Sequence, residues 1–496
     1  MKKKVLYLIL GCLSQTLVSQ DMLWEQFYGG SNNDLAHHLL FTNDGGFVTI
    51  GYTESFGNGI WGKPDMWLCK FDESGQMLWD KTIGQPDSLD KAYFGIEVQD
   101  GYLLIGERME DITYGHGMGG VIIKTDFEGN EIWSKKYKGD DKDMLRHIQL
   151  VPGAGYIACG ATRSNGAGFI DGWAVKLDED CNIEWQSNFG GDDYEVFKQI
   201  YPTLDGGYLA GGFSNSEGFG SYDTWFVKMD YLGNLEWEKR IGNEYSNRLN
   251  YFSPTSDGNY IATGRSVQES QESDELFALK INPDCDIIWE QFYQATVEGE
   301  GYYIEEVSPG GFIIGGADAN SIGGPWQTDG WVLRIGETGD LLWDYFIHGN
   351  ASDLFYVARQ NYDGDIIAAG GNMSNGAGMN DLWLTKLSDS TYITSINNNS
   401  ISVTDIKAEI SPNPFSIMTK VTVTCRSWDK VSELFIYNSY GQLINIISGK
   451  MTSEGSYEFY WYGENIHKTK ENAGIYFARI KVGEITETER ILKISP

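Results

Sequence analysis

A tryptophan that returns at even intervals is the feature that most restricts what this chain can become. Phe71-Asp72-Glu73-Ser74-Gly75-Gln76-Met77-Leu78-Trp79 has close copies at Asp126 to Trp133 (DFEGNEIW) and Asp230 to Trp237 (DYLGNLEW). Looser copies run from Asp178 to Trp185, Asn282 to Trp289 and Gly336 to Trp343, and Trp24 stands in a related segment without the leading Asp. The spacing is roughly 52–55 residues, close to the period at which propellers and solenoids repeat. Around each tryptophan the same parts recur: a Gly-rich loop, a β-like run ending near Asp-Gly-Gly, an alternating strand such as Phe47 to Gly51, and a polar loop leading to Asp65-Met66-Trp67 or its copies at Asp171, Asp223, Asp329 and Asp381. Short alternating runs bounded by Gly, Asp and Asn read as strands and turns.

Four strands per repeat is the content of a propeller blade. The tryptophan strand and the Asp-x-Trp-type strand each occur seven times. One tryptophan strand precedes everything, and the last repeat stops at Leu384-Thr385-Lys386-Leu387. The expectation is therefore an all-β, seven-bladed β-propeller over residues 20–388. The strand around Trp24 supplies the missing outer strand of the last blade, which leaves no edge open for aggregation.

The D-x-x-G-x-x-x-W turn resembles the tryptophan-docking motif of quinoprotein-type and outer-membrane-assembly-type propellers, which implies that each indole packs on the neighbouring blade. The whole repeat is similar to the Gly/Asp-rich repeats of secreted Bacteroidetes proteins. Repeats of this kind set architecture, and function has to be argued from sites.

Residues 1–19 read as a signal peptide, with Lys2, Lys3 and Lys4 ahead of an apolar run too short to span a bilayer. No other segment suggests a transmembrane span. The formal net charge is −33, and both ends of the chain are slightly basic, so the repeats are more acidic still, which disfavours nucleic acid and anionic membranes as partners. Cys69, Cys159, Cys181, Cys285 and Cys425 form no C-x-x-C pair and read as isolated thiols.

After Ser388 the period ends, and residues 389–405 have linker composition. Residues 406–496 hold about seven short alternating strands, the content of a small immunoglobulin-like β-sandwich. Within them stand Ser411-Pro412-Asn413-Pro414-Phe415, Ile436 to Gln442 with Gly441, Ala473-Gly474-Ile475-Tyr476 and Ile491 to Ile494. In order and spacing these resemble the C-terminal sorting domain of type IX secretion cargo. The resemblance implies export across a Bacteroidetes outer membrane, with the type IX machinery and a sortase-like peptidase as partners. It also implies a cell-surface or released mature protein.

Two sets of residues are candidates for binding on the loop-bearing face, where rigid scaffolds commonly place recognition. Ten or eleven residues after each tryptophan comes an acid or amide: Asp34, Asp90, Asp143, Glu195, Asn247 and Asp353, with the sixth repeat breaking the pattern near Gly299. They are expected at the starts of the innermost strands. There they either ring the channel mouth as a cation or ligand site, with Ca²⁺ the candidate ion, or bond the loop backbone as Asx-type residues do. Trp61, Tyr114, Phe169, Phe219, Tyr222 and Trp326 lie in the longer loops, where aromatics serve stacking and protein contact.

Signatures of catalysis are thin. The repeat-region histidines His37, His38, His116, His147 and His348 form no H-E-x-x-H pattern, and there is no G-x-S-x-G elbow. No catalytic residue is assigned and no cofactor is expected besides the candidate Ca²⁺. The preferred reading is an exported recognition module for a glycan or protein. The alternatives are a polysaccharide hydrolase or lyase using channel carboxylates, and a structural surface protein. The irregular stretch Gln294 to Gly301, with Trp326 nearby, is where broken symmetry would mark a site.

Overall fold

The computed structural model describes residues 21–389 and 406–494. It excepts 43, 59–60, 112–115, 138, 140, 152, 165, 167, 217, 268–273, 296–297, 309, 320–326, 348, 362, 426–432, 439–442, 452–455, 466–469, 472–473 and 483–484. The signal-peptide and linker expectations, Tyr114, Trp326 and Gly441 lie outside the described residues. The chain parts into two compact units between residues 390 and 391. No described helix is long and apolar enough to cross a membrane.

The first unit is built from four-stranded antiparallel sheets of the propeller-blade kind. In the first repeat the order is Asp34–Phe41, Phe47–Thr53, Asp65–Phe71, Met77–Ile83, from the innermost strand to the tryptophan strand. Burial follows the sequence pattern. The third strand is buried throughout, while the tryptophan strand alternates exposed and covered positions. The last repeat's sheet takes its outer strand from the start of the chain. Met22–Tyr28 pairs antiparallel with Asp381–Leu387, Phe27 lies opposite Trp383, and the Trp383 indole donates to Glu25 Oε1 at 2.8 Å.

Residues 22–387 form six hydrogen-bonded sheets rather than seven separate ones, five of four strands and one of eight. The eight-stranded sheet consists of the fifth and sixth repeats joined by a single parallel pairing, Asp274 with Glu298. Parallel bridges at corresponding junctions, Asn33 with Asn380, Ile170 with Tyr194 and Tyr222 with Ser246, stay isolated because at least one partner of each lies outside a strand. The fusion is therefore the recurring junction bridge landing inside two strands.

Four of the repeated tryptophans sit on the next repeat's turn. A Cβ on Gly75 would meet the Trp24 ring at 2.8 Å, on Gly129 the Trp79 ring at 2.7 Å, on Gly233 the Trp185 ring at 2.6 Å and on Gly339 the Trp289 ring at 2.9 Å. These four glycines have φ near +80°, a region that side chains disfavour. Cys181 and Cys285 take the same left-handed conformation at the equivalent turns. Tyrosines complete the seat: Tyr28, Tyr137 and Tyr293 donate to the carbonyls of Gly75, Cys181 and Gly339 at 2.7, 2.6 and 2.6 Å. The leading Asp of the motif folds the turn itself, since Asp126 Oδ1 accepts from the amides of Glu128 and Asn130 at 3.0 and 2.8 Å. Cys69, Cys159, Cys181 and Cys285 are buried free thiols.

The second unit holds two four-stranded antiparallel sheets over one core that includes Phe415, Trp461 and Tyr476. Pro412 and Pro414 both follow cis peptide bonds. Asn413 clamps the final strand, donating to the Arg490 carbonyl at 2.8 Å and accepting from the Leu492 amide at 2.7 Å. Phe415 is 2% exposed and packs its ring 5.2 Å from Trp461, which in turn packs on Tyr476 at 4.8 Å. Gly474 begins the strand Gly474–Val482.

The indole seat sets a local test. Gly129→Ala is expected to lower the unfolding free energy by roughly 2 kcal/mol, from left-handed strain and the Trp79 overlap together. Gly206→Ala, at φ +87° with open space around it, is expected to cost about 1 kcal/mol. Urea midpoints of the two variants measure the difference; equal losses would mean the seat adds nothing.

Candidate functional site

The acids expected to ring the channel mouth do stand at the starts of the innermost strands, but their oxygens are taken up within their own surroundings. Asp143 is typical. It accepts from Thr162 Oγ1 at 2.5 Å, Ser164 Oγ at 2.7 Å and the Gly139 amide at 2.6 Å. Asp34 repeats this with Thr53, Ser55 and Gly30, Glu195 with Ser214, Ser216 and Gly191, and Asp353 with Met373 and Ser374. Asn247 exchanges bonds with Ser266 and Asn243. Asp90 instead pairs with Arg108 and Ser88. Each side chain thus ties the incoming loop to the end of the second strand, the loop-bonding role the sequence also allowed. Among the described residues no group of three or more His, Cys, Asp or Glu is placed to hold a metal ion.

The sixth repeat lacks the acid because nothing larger than glycine fits. A Cβ on Gly299 would lie 2.8 Å from Ala295 and 3.3 Å from the Trp331 ring. Beside this irregular stretch is a shallow pocket of about 330 Å³ lined by Gln291, Gln294, Trp331 and Asp344 among others. The Asp-x-Trp aspartates are buried at strand entries and accept loop amides, as Asp65 does from Asn58 at 2.6 Å and Asp381 from Gly378 at 3.0 Å. The loop aromatics are not gathered into one patch. Trp61, Phe169 and Phe219 are strongly exposed on separate repeats, and Phe169 carries the Arg163 guanidinium 4.3 Å above its ring. Tyr222 lies under the Arg248 guanidinium at 3.7 Å.

A different ring emerges three residues inward from each latch. In every innermost strand the pairing register skips one residue: His37, Tyr93, Arg146, Lys198, Asn250, Tyr302 and Tyr356. A β-bulge re-aims the extra side chain and is frequent beside functional sites. Here the extra residues meet across repeats. Tyr302 packs on Tyr356 at 5.2 Å, Tyr356 on His37 at 4.8 Å, and His37 on Tyr93 at 4.9 Å. The Arg146 guanidinium lies 3.8 Å over the Tyr93 ring. Asn250 donates to Glu300 Oε1 at 2.7 Å, and Tyr302 donates to Glu300 Oε2 at 3.0 Å. Side chains from the sixth, seventh, first, second and third repeats touch in succession, so they face a common centre. All seven are half-buried.

Sequence reasoning missed this ring, although the signal was present. The frame residues at latch positions repeat, whereas the third residue after each one does not: His, Tyr, Arg, Lys, Asn, Tyr, Tyr. Variation at one register position inside a conserved-looking frame within one chain is what a site on a symmetric scaffold looks like.

The residue after each bulge belongs to a second, more deeply covered tier. His38 packs on Phe94 at 4.0 Å, Phe94 on His147 at 4.3 Å, and His147 on Tyr201 at 5.0 Å. Tyr251 packs on Tyr303 at 4.3 Å, and Arg359 bonds Glu305 at 3.0 Å. Burial, with Arg359 and His147 adding to it, holds His38 well below the ordinary imidazole range. Burial brings His147 down to about 3 against a bond from the Ile200 amide.

No protein-family model matches the chain, and no curated protein matches it by sequence. Solved structures do resemble it. PorZ, described as an essential surface component of the type IX secretion system of Porphyromonas gingivalis, aligns over 94% of this chain and 60% of its own length, at 11% identity and TM-score 0.43. The present chain therefore spans less than two thirds of that protein. A fungal alcohol oxidase of the AA5 family, in complex with copper, aligns over 95% and 99% at 9% identity and TM-score 0.49. A Trypanosoma rangeli sialidase mutant aligns over 95% and 88% at 7% identity and TM-score 0.34.

Two measurements follow from this geometry. Asp143→Ala leaves several donors unpaired and is expected to lower the unfolding free energy by roughly 3 kcal/mol, while EDTA leaves the wild-type urea midpoint unchanged; a chelator-induced loss would restore the cation reading. His38 and His147 stay neutral in the fold but protonate near pH 6.5 when unfolded. Their contribution is therefore complete above that pH and is lost as pH falls below it, by up to about 1.4 kcal/mol per pH unit for each. Stability at pH 7.5 and 5.0 checks this, and His147→Phe is expected to flatten the profile.

Proposed function

We propose that this protein is an exported recognition module. In this reading the first unit is a closed seven-bladed propeller, the eight-stranded sheet counting as two bridged blades. The second unit is an immunoglobulin-like β-sandwich that acts as a type IX sorting domain. The mature protein resides at the cell surface or is released, and it binds an extracellular glycan at the channel.

The observation that carries the binding reading is the ring of bulged residues. A repeated frame delivers seven unlike side chains to one level, with aromatic rings on one arc and polar and cationic groups on the other. Binding sites combine apolar or aromatic walls with a few placed polar groups in this way. The export reading rests on the Ser411 to Phe415 segment and the strand that follows it to the chain's last residues. The Asn413 side chain and the Phe415 main chain bond that final strand while the Phe415 ring enters the core, so the motif residues have a definite structural task.

Both halves are testable. The chain from residue 20 is expected to bind a subset of a glycan array without releasing products. Tyr302→Ala with Tyr356→Ala is expected to weaken that binding at least tenfold while the far-ultraviolet spectrum stays unchanged. Product release would instead establish a hydrolase or lyase. In a Bacteroidetes host with a type IX system, the full chain is expected in the medium or on the surface, and a chain ending at residue 405 in the periplasm. Export of the truncated chain would overturn the sorting assignment.

A further inference from the structure

The ring's cationic arc lacks the counter-charges that the rest of the protein supplies. Elsewhere, lysines on covered strands meet carboxylates: Lys70 with Asp44 at 2.7 Å, Lys228 with Asp205 and Glu236 at 2.9 Å each, Lys280 with Asp257 at 2.7 Å. Among the described residues Lys198 has no carboxylate within 4 Å, and neither does Arg248, two positions before Asn250 on the same strand, although the chain carries 70 acidic residues against 37 Lys and Arg. Arg248 also keeps a buried Nε without a hydrogen-bond partner. Arg146 reaches only the far edge of Glu107, at 4.0 Å. The hydrogen bonds to the two acids nearest these cations come from neutral donors: Tyr93 OH bonds Glu107 at 2.7 Å, and Asn250 and Tyr302 bond Glu300.

Lys198 follows Arg146 around the ring, and its amine shares the Phe213 ring with the Arg248 guanidinium, at 5.6 and 5.7 Å. Burial first, then Arg146, lower its amine to about 8; Glu300 pulls the other way, and Arg248 adds a smaller lowering. Like charges held together in a half-buried site are unfavourable unless an anion joins them. Such a cost, placed in a protein this acidic, marks a binding subsite more readily than a structural one. Across the ring from Lys198 lie Tyr302, Tyr356 and His37, which offer ring faces and edges suited to a pyranose.

We propose that the lumen takes an acidic sugar unit, its oxyanion held by Arg146, Lys198 and Arg248 and its ring set against the tyrosine arc. This deepens the glycan-recognition reading and rests on it. An oxyanion on a planar or forked partner suits guanidinium donors, and an ammonium adds a point charge. The acidic exterior disfavours random capture of polyanions, so selection occurs where the cations are concentrated.

The test uses the chain from residue 20, with oligogalacturonate, the matched neutral oligogalactose and inorganic sulfate titrated separately by calorimetry. Oligogalacturonate is expected to bind at least tenfold more tightly than oligogalactose, and sulfate alone to compete weakly. Lys198→Met is expected to reduce oligogalacturonate affinity at least tenfold and to leave the thermal midpoint unchanged or raise it, because an unpaired cation is removed. Arg248→Met gives a second reading with the same expected direction. Equal affinity for acidic and neutral chains, or unchanged affinity in both methionine variants, overturns the anion assignment. Neutral-sugar binding that depends on Tyr302 would leave the recognition reading standing. Failure to bind any array glycan would sink that reading itself.

Discussion

An indole resting on a neighbour's turn is the contact on which the first unit depends. Each repeat is only four short strands, too little to bury a core alone. Trp24, Trp79, Trp185 and Trp289 cover the turns of the following repeats, and those turns expose backbone where a side chain would collide. The turn needs a left-handed residue and the indole needs a flat seat, and glycine meets both demands at once. Where cysteine replaces it, at Cys181 and Cys285, the backbone keeps the same conformation. Stability is thereby spread over several like joints.

That division of labour frees the inner strands. The latch acids and the indole seats hold each sheet in place, so the bulged residue between them carries little structural duty. His37, Tyr93, Arg146, Lys198, Asn250, Tyr302 and Tyr356 are chemically unlike because the frame does not need them to be alike. Rigid repeats with one variable register position give precise placement with free choice of chemistry. The covered tier of His38, Phe94 and His147 keeps its bases neutral.

Much of the fold was legible from periodicity. The tryptophan interval marked the repeats, and the unmatched first strand pointed to the pairing of Met22–Tyr28 with Asp381–Leu387. The joining of the fifth and sixth repeats was not legible, because it turns on one bridge between Asp274 and Glu298. The latch acids were visible, but whether Asp34 or Asp143 faces an ion or a serine depends on side-chain contacts some twenty residues apart. The bulge was hidden for a related reason. An extra residue in a strand shifts pairing without changing composition, so Lys198 reads as one more lysine until the register of its strand is known. The loop aromatics stood out as residues but not as a site, since Trp61, Phe169 and Phe219 belong to separate repeats.

The pairing of the first strand with the last repeat has a temporal side. Glu25 and Trp383 are 358 positions apart. At about 5–20 residues per second, synthesis of the later partner trails the earlier one by tens of seconds. During that interval Met22–Tyr28 is a ribbon without its mate. Final locking therefore belongs to the completed polypeptide, and a chain halted partway cannot seal prematurely. The last joint to form is the one that closes the series.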